Sequence, residues 1–255
     1  PIIAVPTTAG TGAEITVGAV VTNAKGSKIC SVVVGLDVRG VILDGELTLK
    51  APESITCACG IDALSHGLEG AVASVRTPDE DVRKSMKCVK LVLENLPVLI
   101  NESDNAAARQ NMCLAANYGG NAINKQLAGY VHAFAHSIGS KYHIPHGNAI
   151  AASLLPVMKF QKDKCLEKLA KLSRFCGYAD DSQSDAEAGD KILGAVEKLI
   201  SLCGFADMEG FIRKEDYKSL AHAIAWDSIN YSPPIVVSDK QIFEILDNIN
   251  GERNI

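Results

Sequence analysis

From residue 52 onward, apolar residues recur at three- and four-residue steps in one segment after another, a periodicity that favours helices packed on helices. In PESITCACGIDALSHGLEGAVA the pattern is carried by Ile61, Leu64, Leu68 and Val72. The same spacing predicts helices over 79–98, 104–123, 128–139, 149–160, 163–176, 185–203, 214–228 and 238–249. The first 45 or so residues read differently. IIAV, VGAVVT at 17–22, KICSVVV at 28–34 and GVIL at 40–43 are short β-rich runs separated by Gly, Asn and Asp. The expected fold is mostly α, with a small N-terminal β segment over 1–48 and an all-helical domain over 49–255. No internal repeat or low-complexity tract interrupts it, and DDSQSDAEAGD at 180–190 reads as a solvated acidic loop, its carboxylates lacking the ordered spacing of a calcium loop.

Composition narrows the class of partner. A chain of 255 residues with 47% hydrophobic content can bury a substantial core. A net charge of -5 without a Lys or Arg stripe argues against nucleic acid and anionic membrane, and points to a small molecule. No apolar run reaches the ~20 residues of a membrane helix. Eight cysteines at irregular spacings, with no CxxC and no signal peptide, suggest reduced packing thiols in a cytoplasmic protein. The opening PIIAVP is strand-like from Pro1, as expected of a fragment cut inside a fold or a chain lacking its native start.

Four of the six histidines, His132, His136, His143 and His146, fall within GYVHAFAHSIGSKYHIPHG at 129–147. His132 and His136 are four apart, so on a helix they share a face. Asp62 and His66 in GIDALSHGLEG repeat that spacing on another apolar helix. Burying such groups without partners costs several kcal/mol each, so a common partner is expected. A divalent cation would satisfy them, carboxylate and neutral imidazole being good ligands for zinc or ferrous iron. Gly139 is expected to turn the chain and Pro145 to present His146 from a loop into the same cavity. The residues therefore suggest a metal site of Asp62, His66, His132 and His146 with His136 beside it, while His143 reads as surface or supporting and His222, alone in SLAHAIAW, as structural.

PTTAGTGAE at 6–14 follows the strand IIAV directly. Glycine admits a close backbone approach, and the hydroxyls of Thr7, Thr8 and Thr11 can donate to phosphate or ribose oxygens. It is neither GxGxxG nor a lysine-terminated P-loop, so a nucleotide cradle and an ordinary tight turn both remain open.

Together PTTAGTGAE, GIDALSHGLEG and GYVHAFAHSIGSKYHIPHGNAIAASLLP resemble the iron-containing (group III) alcohol dehydrogenase family, in order and approximate spacing, over residues 1 to about 249. The resemblance implies a dehydroquinate synthase-like architecture, in which residues 1–48 are a remnant of an α/β NAD- or NADP-binding domain and 49–255 the helical metal-binding domain. It implies that Asp62, His66, His132 and His146 coordinate Fe(II), with Zn(II) as the alternative metal, and that His136 faces the reacting alcohol and nicotinamide. By the same resemblance Thr7, Thr8, Gly10, Thr11 and Gly12 line the cofactor, Lys28 contacts its ribose, and Thr16 and Gly18 border the substrate pocket. The family's long segment preceding the threonine-glycine loop is not present here, so this chain alone is expected to bind NAD poorly or not at all. GLDVRGVILDGELT at 35–48 also departs from the family pattern.

The expected activity is interconversion of a primary alcohol or diol with its aldehyde by an NAD(P)-linked, metal-dependent homodimer. A redox-free metal hydrolase or lyase is the competing enzyme class, although it leaves PTTAGTGAE without a task. A catalytically incomplete metal-binding fragment is the third reading.

Overall fold

The computed structural model describes residues 2–22, 28–32, 38–205, 210–229 and 231–251, with the backbone alone for 18–22 and 28–32. The chain divides into two compact units, Pro1–Ala71 with Arg76–Gln126, and Val72–Val75 with Leu127–Ile255.

The first unit begins with strands β1 (Ile2–Ala4), β2 (Gly18–Thr22), β3 (Lys28–Val32) and β4 (Val38–Val41). β1 pairs in parallel with β4, matching Ile3 to Gly40 and Ala4 to Val41, and β2 pairs antiparallel with β3. A 3-10 turn at Gly45–Thr48, capped by the Asp44 side chain, leads into helix α1 (Glu53–Val72). Helices α2 (Asp79–Asn101) and α3 (Ala106–Gln126) complete the unit as an antiparallel pair.

α1 is buried on every face from Gly60 to Val72. Its three- and four-residue apolar stripe accounts for only part of that; small residues supply the rest. A Cβ at Gly60 would meet Leu96 of α2 at 2.6 Å, and one at Gly70 would meet Ala122 of α3 at 2.8 Å. Both neighbours therefore close on the α1 backbone, and the polar groups α1 carries are forced into the interior. The buried Arg109 guanidinium ties the α2–α3 connection to α1, donating to the Ser103 carbonyl at 2.7 Å and to Thr56 Oγ1 at 2.9 Å.

The second unit holds α4 (Tyr130–Tyr142), α5 (His146–Gln161), α6 (Leu166–Cys176), α7 (Asp185–Leu202), α8 (Tyr217–Ser228) and α9 (Asp239–Ile249). α4 packs against α5 and α8, α6 against α7, and α9 against α5 and α8. Its largest fully buried side chains include Phe134, Ile138, Ile150, Leu154 and Leu169. Ser184 and Ser238 start α7 and α9 with capping boxes completed by Glu187 and Gln241.

The helices predicted from periodicity are all present. The expected turn at Gly139, however, is not where α4 ends. The helix continues to Tyr142 and stops at His143, which adopts φ 56° as a left-handed cap, and the Ile144 N–H returns to the Gly139 carbonyl at 3.1 Å. Pro145 then serves as the N-cap of α5. His146 is consequently the first residue of a helix and not part of a loop, which fixes its backbone more firmly than the sequence suggested. Among the described residues no helix is long and apolar enough to cross a membrane.

Candidate metal centre and cofactor loop

In the second unit α4 presents His132 and His136 one turn apart, and the tight α4–α5 corner brings His146 to them. Their ring centroids lie 5.8 Å apart for His132 and His136, 5.8 Å for His132 and His146, and 5.3 Å for His136 and His146, the last pair stacked. His132 is buried and the other two are partly so. Three imidazoles this close cannot all carry a proton without strong mutual repulsion. Burial pushes the His136 imidazole below its usual range; the Asp227 hydrogen bond opposes that shift, and His132 and His146 add to it. Burial thus favours the neutral form of His136.

Asp227, on the last turn of α8, meets His136 from the other side, its Oδ2 3.0 Å from Nδ1. The Tyr231 hydroxyl donates to the same oxygen at 3.2 Å. Neither residue was singled out in the sequence, where WDS at a helix end has the look of a solvated acid; the i, i+4 relation of Asp227 and Tyr231 is the one faint signal.

In the first unit Asp62 and His66 lie one turn apart on α1, Oδ1 to Nε2 3.6 Å, both almost fully buried. Gly119 of α3 makes room for His66, since a Cβ there would stand 3.2 Å from the His66 Cβ. A buried carboxylate beside an imidazole in one unit, and a knot of imidazoles in the other, form donor sets of nitrogen and oxygen without thiolate. That chemistry fits Fe(II) or Zn(II).

The threonine-glycine loop crosses the same first unit. Gly10 and Gly12 are buried, and the space they leave is taken by protein: a Cβ on Gly10 would meet Cys59 at 3.0 Å, and one on Gly12 would meet the Ala116 carbonyl at 2.5 Å and Gly120 at 2.8 Å. Gly12 also has φ 62°, a conformation that side chains other than glycine resist. Asn124 clamps the following turn, accepting from Val17 N–H at 2.9 Å and donating to the Ile15 carbonyl at 2.6 Å. Thr7, Thr8 and Thr11 are exposed and line a concave surface of about 300 Å³ with Pro6, Gly12 and Glu14. The glycines therefore seat the loop, and Gly12 also borders the concave surface on which the threonines are exposed.

Thr16 is partly buried beyond that turn, and Gly18 opens β2. Lys28 is the first residue of β3, paired with Thr22; its side chain lies outside the described residues. His143 is exposed at the cap of α4. His222, expected to be structural, is exposed on α8, because the buried stripe of that helix passes through Tyr217, Leu220, Ala221 and Ile224. Among the described residues Cys57, Cys88, Cys113 and Cys165 are buried, and burial raises Cys165 to about 11.

A family model described as Fe-containing alcohol dehydrogenase family, C-terminal, matches residues 56–250. The chain is 32% identical over 249 residues to the 1,3-propanediol dehydrogenase of Citrobacter freundii, covering 96% of this chain and 64% of that protein. It is 31% identical over 253 residues to the NAD-dependent methanol dehydrogenase of Bacillus methanolicus, covering 97% and 66%. It thus spans just under two thirds of the length of these relatives. A crystal structure of 1,3-propanediol oxidoreductase superposes with a TM-score of 0.90 at 30% identity, covering 98% of this chain and 66% of that one. Sulfoacetaldehyde reductase from Bifidobacterium kashiwanohense, solved with NAD+, superposes with a TM-score of 0.88 at 28% identity, covering 99% and 65%. With its helices, its histidine-bearing corner and this match over most of its length, the chain belongs to the Fe-containing alcohol dehydrogenase family.

Proposed function

We propose that this chain carries the metal centre and part of the cofactor site of an NAD(P)-linked dehydrogenase that interconverts a small primary alcohol or diol with its aldehyde. The observation that carries the reading is the convergence of His132, His136 and His146 at the α4–α5 corner, in a member of this family. Asp62 and His66 of α1 would join His132 and His146 in holding one Fe(II) or Zn(II). Residues 1–48 would belong to the cofactor domain and 49–255 to the metal-binding domain. The alcohols in the names of the relatives, a propanediol and methanol, support the class of alcohol, and the relative solved with NAD+ supports the nicotinamide. A cytoplasmic homodimer acting on a small molecule is the corresponding assignment of place and assembly.

When bound, the cation supplies Lewis acidity toward the alcohol oxygen, and the nicotinamide supplies the two-electron acceptor. The chain contributes the rest. His136, neutral because it is buried, takes the hydroxyl proton of the alcohol during oxidation and returns it during reduction. Thr7, Thr8 and Thr11 donate hydroxyl hydrogens to cofactor oxygens, and Gly10 and Gly12 hold that loop against α1 and α3. Lys28 would reach the ribose, and Thr16 and Gly18 would border the alcohol.

Metal analysis of protein loaded anaerobically with Fe(II) or with Zn(II), followed by NADH and NADPH oxidation with short aldehydes, tests this. Both this chain and a version extended upstream are assayed. Stoichiometric metal together with aldehyde-dependent oxidation by the extended protein is expected, and absence of turnover with every aldehyde in the Fe(II)-loaded extended protein removes the reading.

A further inference from the structure

Among the described residues the hydrogen-bond partners of the His136 ring lie on one edge, at Nδ1. Asp227 Oδ2 lies 3.0 Å from Nδ1, bridging α8 to α4 across 91 positions, and both side chains are largely shielded, 18% and 26% exposed. A carboxylate oxygen accepts and does not donate, so the hydrogen between them belongs to Nδ1. The Tyr231 hydroxyl is 3.3 Å from Nδ1 and 3.2 Å from Asp227 Oδ2. With Nδ1 already a donor, the hydroxyl gives its hydrogen to the carboxylate. Two donors on one oxygen hold the carboxylate in place, and stacking on His146 at 5.3 Å holds the ring plane.

We propose that Asp227, braced by Tyr231, is a positioning residue that keeps His136 as the Nδ1–H tautomer and so leaves Nε2, on the opposite edge of the ring, to exchange a proton with the alcohol. The inference rests on the proton-handling role given to His136 above and names what enforces it. A neutral imidazole free in water prefers the Nε2–H form, which would offer a donor where alcohol oxidation needs an acceptor. The Asp227 contact reverses that preference by stabilising the other tautomer and its orientation. Tyr231 touches both groups, so its part is to fix the direction of the acceptor and not to supply the proton.

Long-range 1H–15N correlation spectra of the histidine side chains test this directly, recorded on zinc-loaded protein, which is diamagnetic, and well above the usual imidazole titration range. His136 is assigned by the signals lost in His136→Gln. The expected result is a protonated Nδ1 and bare Nε2 in the native protein, and the same pattern in Asp227→Glu. In Asp227→Asn and Asp227→Leu the population moves to Nε2–H, while Tyr231→Phe keeps Nδ1–H because the carboxylate remains. Thermal melts select the variants that fold, and Asp227→Asn, the smallest change, decides if Asp227→Leu does not. An Nε2–H tautomer in the native protein overturns the proposal, as does a native pattern persisting in every folded variant that lacks the carboxylate. Lack of nicotinamide turnover would remove the role of His136 yet leave these populations untouched, so the two failures are distinguishable.

Discussion

Nδ1 of His136 and Oδ2 of Asp227 stand 3.0 Å apart although 91 residues separate them, and each is delivered by a different helix. The contact gives the histidine corner a direction: one edge of the His136 ring is committed to α8, and the opposite edge is the one to which the proposed proton exchange falls. His132 and His136 share a helix face, yet this contact sets them apart, in keeping with the metal-binding role proposed for one and the proton-handling role proposed for the other.

If Asp62, His66, His132 and His146 hold the metal, then Asp62→Ala and His146→Ala should each lose most bound Fe(II) or Zn(II), whereas His136→Gln and His143→Ala should keep it. Metal content after gel filtration checks this. Full occupancy in Asp62→Ala would sink the ligand assignment.

Metal loading should also stabilise the fold, since a ligand that binds the native state alone adds about 2.7 kcal/mol at a free concentration ~100-fold above its Kd. Chelation should therefore lower the thermal midpoint, and re-addition of Zn(II) should restore it. A melt insensitive to chelator would contradict a metal held by folded-state residues.

Gly12→Ala should be destabilising by more than the roughly 1–2 kcal/mol that a left-handed backbone alone costs a side-chain-bearing residue. The added Cβ would also stand 2.5 Å from the Ala116 carbonyl, and backbone cannot swing aside as a flexible side chain can. Urea titration reads the loss as a lower midpoint with unchanged slope.

Asp216 joins the end of α4 to the turn before α8, accepting from Lys141 Nζ at 2.9 Å, the Tyr142 hydroxyl at 2.8 Å and Arg213 at 3.0 Å. The Lys141 and Tyr142 hydrogen bonds hold its carboxyl below the usual range. A carboxyl depressed in the folded state contributes stability above its unfolded pKa and loses it as pH falls through the folded value. Asp216→Asn should thus melt at lower temperature than the native protein at neutral pH, with the difference shrinking in acid. Melts recorded across pH check the sign; a gap that widens in acid would refute it.

Phe134→Ala should cost about 3–5 kcal/mol, the usual penalty for emptying a fully buried aromatic site. Because Phe134 lies between His132 and His136 on α4, its loss should also loosen the histidine corner. Denaturant melts measure the first effect, and weaker metal retention the second.

Much of this was legible in residue order. Helical periodicity located α1 to α9, because an amphipathic helix must repeat its apolar residues at the pitch of its own backbone. The i, i+4 pairs Asp62 with His66 and His132 with His136 were readable for the same reason. Legibility stopped where partners come from elsewhere. α1 showed an apolar stripe but is buried all round, since Gly60 and Gly70 admit two helices that its own pattern does not mention. Gly10 and Gly12 are closed on by Cys59, Ala116 and Gly120 in the direction a Cβ would take, neighbours that the order of the loop does not mention. Asp227 was not singled out in the sequence, because its partner His136 is supplied by α4, on which α8 packs.

The sequence by itself determined the helical architecture and the family and offered the candidate donor side chains, all of which depend on neighbours within a turn or two of chain. Tertiary structure decided that His143 ends α4, that His146 begins α5 beside His132 and His136, and that Asp227 and Tyr231 grip one edge of a ring. Those are meetings of side chains far apart in sequence, set by which helix faces pack together, and no local periodicity encodes them.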